Sequence, residues 1–157
     1  MTESSGKNEN LKNEILFNIR LLDAAMKNFY QNLEDARKIG IKNEYSFNEL
    51  YIMDSLPSRF ARISDILTQK ILKELIEYLG EEIYSFIGRA KFAEKIGFVN
   101  SASILIEIRS LREDIIHEYA DPTYVHVIHQ VIALSDPLIE AVKKTKEYIR
   151  KNLADKS

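Results

Sequence analysis

The chain contains no cysteine and no tryptophan. Without cysteine there is no disulfide framework, and a zinc site would have to be built from histidine and carboxylates alone. Only five glycines and three prolines occur in 157 residues. That is few for an all-β fold, which needs many turns. No unbroken apolar run approaches the ~18 residues that a membrane span needs. The first ten residues, Met1 to Asn10, are polar and lack the apolar centre of a signal peptide. These absences and the lack of cysteine lead us to expect a cytoplasmic protein. No large excess of one charge is present either, since the net charge is −2. A protein that grips long nucleic acid by its phosphates is normally basic. Any nucleic-acid contact here must therefore be local, or recognition must come through another molecule such as the ribosome or a structured tRNA.

What remains is the composition of one ordinary globular domain, 45% hydrophobic and 29% charged. A chain of this length can bury about 70% of its unfolded surface. Residues 1–10 are expected as a disordered tail and 11–152 as one helical domain. Ile15, Ile19, Leu22, Met26, Phe29, Leu33 and Ala36 recur at spacings of four and three, one face of a helix. Gly40 should stop it. Ser46 to Glu49 reads as a capping box with Tyr45 and Leu50 as its staple. Pro57 should break or kink the helix that follows, near Leu56, and Gly80 should end it. Glu81 and Glu82 suit the first turn of a third helix that stops at Gly97. Asn100 or Ser101 should cap a fourth helix reaching about Ala120. Asp121 and Pro122 should open a fifth, with Pro137 bending it. No strand pattern appears. The expected architecture is an all-α, up-and-down bundle of four to five helices.

One stretch concentrates chemistry, Leu111-Arg112-Glu113-Asp114-Ile115-Ile116-His117-Glu118-Tyr119-Ala120. Arginine holds oxyanions, histidine moves protons near neutral pH, and a tyrosine oxygen accepts covalent modification. Ile104, Ile108, Leu111 and Ile115 form one stripe of this helix, and Leu105, Arg112, Ile116 and Tyr119 a neighbouring one. Together they look wider than one core seam, which suggests a homodimer face. Arg112 and Tyr119 lie within about 20° of each other on a straight helix, whereas His117 is about 140° from Arg112. For Arg112 and His117 to meet one phosphate, either the last turn deforms or two subunits share the site. Glu113 sits four residues before His117, where an ionised carboxylate would favour protonated imidazole. Arg109 reads either as an auxiliary phosphate contact or, preferably, as a salt-bridge partner of Glu113.

Other chemistry-bearing residues read more simply. His126 and His129 are three apart, but with no accompanying acidic motif they suit a solvated face better than a metal site. Arg62, Asp65 and Gln69 read either as shaping a pocket or, preferably, as the wet side of the second helix. Lys143, Lys144, Lys146, Arg150 and Lys151 suit a solvated helix C-terminus, with RNA contact as the second reading. No metal or other cofactor is expected.

Arg112, His117 and Tyr119 match in register the Arg-x4-His-x-Tyr signature of the HepT-like branch of the HEPN superfamily, toxins of bacterial and archaeal toxin–antitoxin pairs. Arg89-Ala90-Lys91-Phe92-Ala93-Glu94-Lys95-Ile96-Gly97-Phe98 resembles that branch's helix ending in an Ala-Glu-Lys-Leu-Gly phrase. Glu107 to Arg112 resembles the helix leading into its motif. The resemblance spans roughly residues 10–150 and is specific over 89–120. It implies a HEPN-like bundle and a homodimer in which the two motifs meet. It implies a metal-independent ribonuclease acting on RNA, tRNA or mRNA, with Arg112 and His117 catalytic. It also implies a cognate minimal nucleotidyltransferase antitoxin that silences the toxin by AMPylation of Tyr119. One position departs from the pattern. Many members carry asparagine or another small polar residue after the arginine, and here Glu113 stands there. Two other readings are a non-catalytic HEPN subunit that binds substrate for a nucleotidyltransferase, and a plain helical scaffold.

Overall fold

The computed structural model describes residues 2–117 and 124–153. All regular structure among them is helical. Helix α1 spans Thr2–Ile39, α2 Phe47–Met53 and α3 Leu56–Asp65. A π-helical segment, Ile66–Ile71, joins α3 to α4, Leu72–Tyr78. Helices α5, Phe86–Ile96, α6, Ala102–His117, and α7, Tyr124–Asn152, follow.

Helix α1 starts within the segment expected as a tail. Once the apolar stripe from Leu11 onward has nucleated the helix, each added residue contributes a hydrogen bond at little cost, and no proline intervenes. Residues 5–10 are exposed, and Lys7 reaches Glu77 at 3.3 Å.

The stops lie where glycine predicts them. Gly40, Gly80 and Gly97 have φ of 84°, 77° and 95°, the left-handed conformation that glycine adopts without a Cβ penalty. At Gly97 the paired C-terminal bonds are complete: Phe98 N–H donates to Ala93 O at 2.8 Å and Gly97 N–H to Glu94 O at 3.2 Å. The capping box is present too. Glu49 N–H donates to Ser46 Oγ, and Ser46 N–H to the Glu49 carboxylate. Pro57 sits in the first turn of α3, and the chain breaks into separate α2 and α3 just before it.

The third long helix begins later than expected. Glu81 N–H closes the preceding helix by donating to Ile76 O at 3.1 Å, so Glu81 cannot also open the next. Ser85 takes that role, its Oγ accepting from Gly88 N–H at 3.0 Å. At the start of α6, Ser101 Oγ accepts from Ser103 N–H, and Glu94 of α5 accepts from Ala102 N–H. Helix α7 runs unbroken through Pro137. The expected cap at Asp121 and Pro122 lies outside the described residues.

Paired contacts give the helix directions. Asn32 meets Ser55 while Asn18 meets Glu74, so α1 and α3–α4 are antiparallel. Arg37 meets Asp136 and Asp23 meets Lys146, so α1 and α7 are antiparallel. Arg109 stacks on Phe86 while Ala102 meets Glu94, so α5 and α6 are antiparallel. One contiguous core joins them, with Phe29, Phe60, Leu75 and Ile108 fully buried. Helix α6 packs against α3, α5 and α7. Leu105, Ile108, Leu111 and Ile115 are all buried. The subunit's own helices thus cover the first stripe and Leu105, while Ile116 on the second stripe remains 52% exposed.

Helix α7 has the length and mean hydropathy, 1.2 over an 18-residue window, of a membrane span. The absence of an unbroken apolar run did not show this. Val127, Val131, Leu138 and Val142 nevertheless face the core, and 44% of that window is buried.

Candidate functional site

Arg112 is the centre of a charged network built by tertiary pairing. Its Nε donates to Asp65 Oδ1 and its Nη2 to Asp65 Oδ2, each at 2.9 Å. This bidentate arrangement fixes the guanidinium plane as well as its position. The Asp65 carboxylate also raises the pKa of Arg112 above its ordinary value, with Glu113 adding to the rise. Both side chains are partly shielded, with 24% and 35% of their surfaces exposed. Asp65 therefore belongs to the site and is not merely the wet side of its helix. Its partner is 47 residues away in sequence, so no local pattern could reveal it.

Glu113 connects the remaining members. Its Oε1 lies 3.2 Å from Arg109 Nε and 3.4 Å from Arg112 Nη1. Its Oε2 lies 3.9 Å from His117 Nε2. Arg109 is the salt-bridge partner of Glu113, and its guanidinium also sits over the Phe86 ring at 5.2 Å. His117 is 75% exposed at the last described turn of α6. Helix α6 stays regular through His117. Arg112 and His117 are therefore brought together only through Glu113. Tyr119 lies outside the described residues.

Asp65 takes the Nε/Nη2 side of the Arg112 guanidinium. The second fork that arginine offers an oxyanion, Nη1 with Nη2, is contacted at Nη1 by Glu113 Oε1 at 3.4 Å. Beside this fork runs a groove of about 560 Å³ between α3 and α6. Arg62, Asp65, Lys70 and Arg112 line it together with Ile66 and Ile115. Three cations face one carboxylate there, a local positive balance in an acidic protein.

The π-helical segment borders this groove, and Arg89 of α5 braces it. Arg89 Nη1 donates to Gln69 Oε1 at 3.1 Å and to Thr68 O at 3.4 Å. Burial lowers the Arg89 pKa, and Arg109 nearby lowers it further.

The other candidates resolve as follows. Tyr45 Oη accepts from Lys42 N–H at 2.9 Å and lies 3.0 Å from Gly40 O and 2.8 Å from His129 Nε2, with which it shares a hydrogen bond. His129 is thus half-buried and hydrogen-bonded, not solvated. Among the described residues no group of three or more His, Cys, Asp or Glu is placed to hold a metal ion. Lys144, Lys146 and Lys151 are paired with Glu140, Asp23 and Glu147. No known protein family, curated protein or solved structure matches this chain.

Proposed function

We propose that this chain is a metal-independent endoribonuclease of the HepT-like toxin type, working in the cytoplasm as a homodimer. The observation that carries the reading is the juxtaposition at the end of α6. An exposed His117 stands one carboxylate away from an Arg112 held rigid by Asp65 at the edge of a cationic groove. In the reaction, His117 takes the proton of an RNA 2′-hydroxyl or delivers one to the leaving oxygen. The 2′-oxygen attacks phosphorus and the 5′-oxygen departs, leaving a 2′,3′-cyclic phosphate and a 5′-hydroxyl. The Nη1/Nη2 edge of Arg112, exchanging its long contact with Glu113 for the substrate, takes up charge on the phosphorane-like transition state. On a regular helix the two side chains diverge by about 140°, so the complete site combines Arg112 of one subunit with His117 of the other. A cognate minimal nucleotidyltransferase antitoxin transfers AMP from ATP to the Tyr119 oxygen with release of pyrophosphate, adding bulk and negative charge to the motif and so blocking RNA.

A second reading is favoured by one observation. Arg112 already contacts two carboxylates, Asp65 and Glu113, which offsets its charge and suits a non-catalytic HEPN subunit. Incubation of pooled RNA with the purified protein in EDTA decides between them. The ribonuclease reading expects cyclic-phosphate products from wild type and none from His117→Ala, with unchanged circular dichroism. Equal cleavage by the two, or none by wild type, contradicts it.

A further inference from the structure

The π-helical segment changes which residues of its helix face Arg112. Leu72 N–H donates to Leu67 O, five residues back instead of four, so one residue is looped out of the α-helical register. In a continuous α-helix, Lys70 would lie about 140° from Asp65 and about 80° from Arg62. With one residue looped out, those separations shrink to about 40° and about 20°. Lys70 therefore lines the same groove as Arg62, Asp65 and Arg112. Without the insertion it would point away from them.

The insertion is held in place from outside. Thr68 Oγ1 donates to Ser64 O at 2.7 Å, and Arg89 reaches across from α5 to Thr68 O and Gln69. Lys70 itself is exposed. Its neighbour one turn on, Glu74, is engaged with Asn18, whose Nδ2 lies 2.7 Å from Glu74 Oε1.

Lys70 is not at the reacting end of the groove. Ser58 and Ala61 share the groove with Ile115 and Ile116, so α3 and α6 run antiparallel beside it. Lys70 lies five residues beyond Asp65 in one direction, and His117 five residues beyond Arg112 in the other. At 1.5 Å per residue, Lys70 is about 7.5 Å along the axes from the level of Arg112, which holds the reacting phosphate, and about 15 Å from His117 of its own subunit.

We propose that Lys70, turned into the α3–α6 groove by the π-helical segment, anchors a backbone phosphate of single-stranded RNA flanking the one that is cut. This rests on the ribonuclease reading above and extends it to a subsite. Lys70 supplies a mobile point charge suited to a phosphate of variable position. The rigid, paired Arg112 serves the fixed one.

The test uses a random pool of 2′-O-methyl RNA about 12 nucleotides long, which binds but cannot be cut, with affinity read by fluorescence polarisation across salt concentrations. Removing one phosphate contact lowers the single-strand salt slope by about 0.7. Lys70→Ala should show that drop and bind three- to tenfold more weakly at low salt, while Lys70→Arg stays within twofold of wild type. Lys73→Ala removes the same charge from an exposed position lining a different surface, near Lys7 and Glu77, and should change affinity less than twofold. In single-turnover cleavage of unmodified RNA below saturation, Lys70→Ala should be three- to tenfold slower than wild type, in line with its weaker binding, while Lys73→Ala should match wild type. Indistinguishable behaviour of Lys70→Ala and Lys73→Ala in a protein that cleaves RNA overturns the subsite alone. A wild-type protein that neither binds nor cleaves RNA overturns the ribonuclease reading and the subsite with it.

Discussion

Replacing Asp65 tests whether Arg112 is held by its tertiary partner. Two hydrogen bonds at 2.9 Å join the pair, and roughly a quarter to a third of each side chain is exposed. Fully exposed pairs contribute about 0–1 kcal/mol, whereas breaking a buried pair costs about 3–5 kcal/mol. This pair lies between those limits, and Glu113 still contacts Arg112 when Asp65 is gone. Asp65→Ala should therefore cost about 1.5–2 kcal/mol, lowering Tm by about 5 °C in a protein of this size. In a double-mutant cycle with Arg112→Ala, the coupling should be about 1–1.5 kcal/mol. Catalysis separates orientation from charge. Asp65→Asn removes a negative charge from the groove, so RNA binding should hold or tighten. It also releases the guanidinium plane, so kcat should fall about tenfold. The assay is chemical denaturation of the four cycle variants, with kcat and KM on a defined RNA. A coupling below about 0.3 kcal/mol, within ordinary additivity error, would show that the contact contributes nothing. An unchanged kcat in Asp65→Asn would show that Arg112 needs no holder.

Gly88→Ala should destabilise α5 by about 1–2 kcal/mol, because its Cβ would sit 2.7 Å from Ile83 Cγ2 and 2.9 Å from the capping Ser85 Oγ; thermal melting against wild type checks it. Burial pushes the Glu74 carboxyl up to about 7, with Asn18 opposing the rise and Glu14 adding to it. The folded state thus holds this proton more tightly than the unfolded chain, and Glu74 should lower stability as pH rises from about 4.5 through about 7. Glu74→Gln should remove that decline in urea unfolding across the window. Tyr119→Phe should keep ribonuclease activity yet escape silencing by the cognate nucleotidyltransferase with ATP and magnesium; an adenylyl mass increment that persists in the variant refutes the acceptor assignment.

Sequence legibility followed how local each cause was. Gly40, Gly80 and Gly97 mark their helix ends because a left-handed residue is needed there and few others tolerate it. The Ser46–Glu49 box and the break before Pro57 are equally local. The start of α5 was misplaced because acidic residues suggest a first turn, while the N–H of Glu81 was already used by the preceding helix. The π-helical segment carries no proline or glycine to announce it, and Arg89, which braces it, comes from another helix. Arg112, Glu113 and His117 stand out by type and spacing, and the Arg109–Glu113 pair follows from the i,i+4 rule. Asp65 could not be assigned, since one acidic residue among Phe60, Ile63, Ile66 and Leu67 looks like a solvent-facing gap until α6 packs against it.

Subunit complementation tests the central claim most directly. Arg112→Ala and His117→Ala proteins are each purified, then mixed in equal amounts and allowed to exchange subunits before RNA cleavage is assayed. If Arg112 of one chain works with His117 of the other, each variant alone is inactive. The mixture should then recover about a quarter of wild-type activity, since half the dimers are mixed and each holds one complete site. A mixture as inactive as its components, under conditions where exchange is demonstrated and wild type cleaves, contradicts a site shared across the dimer.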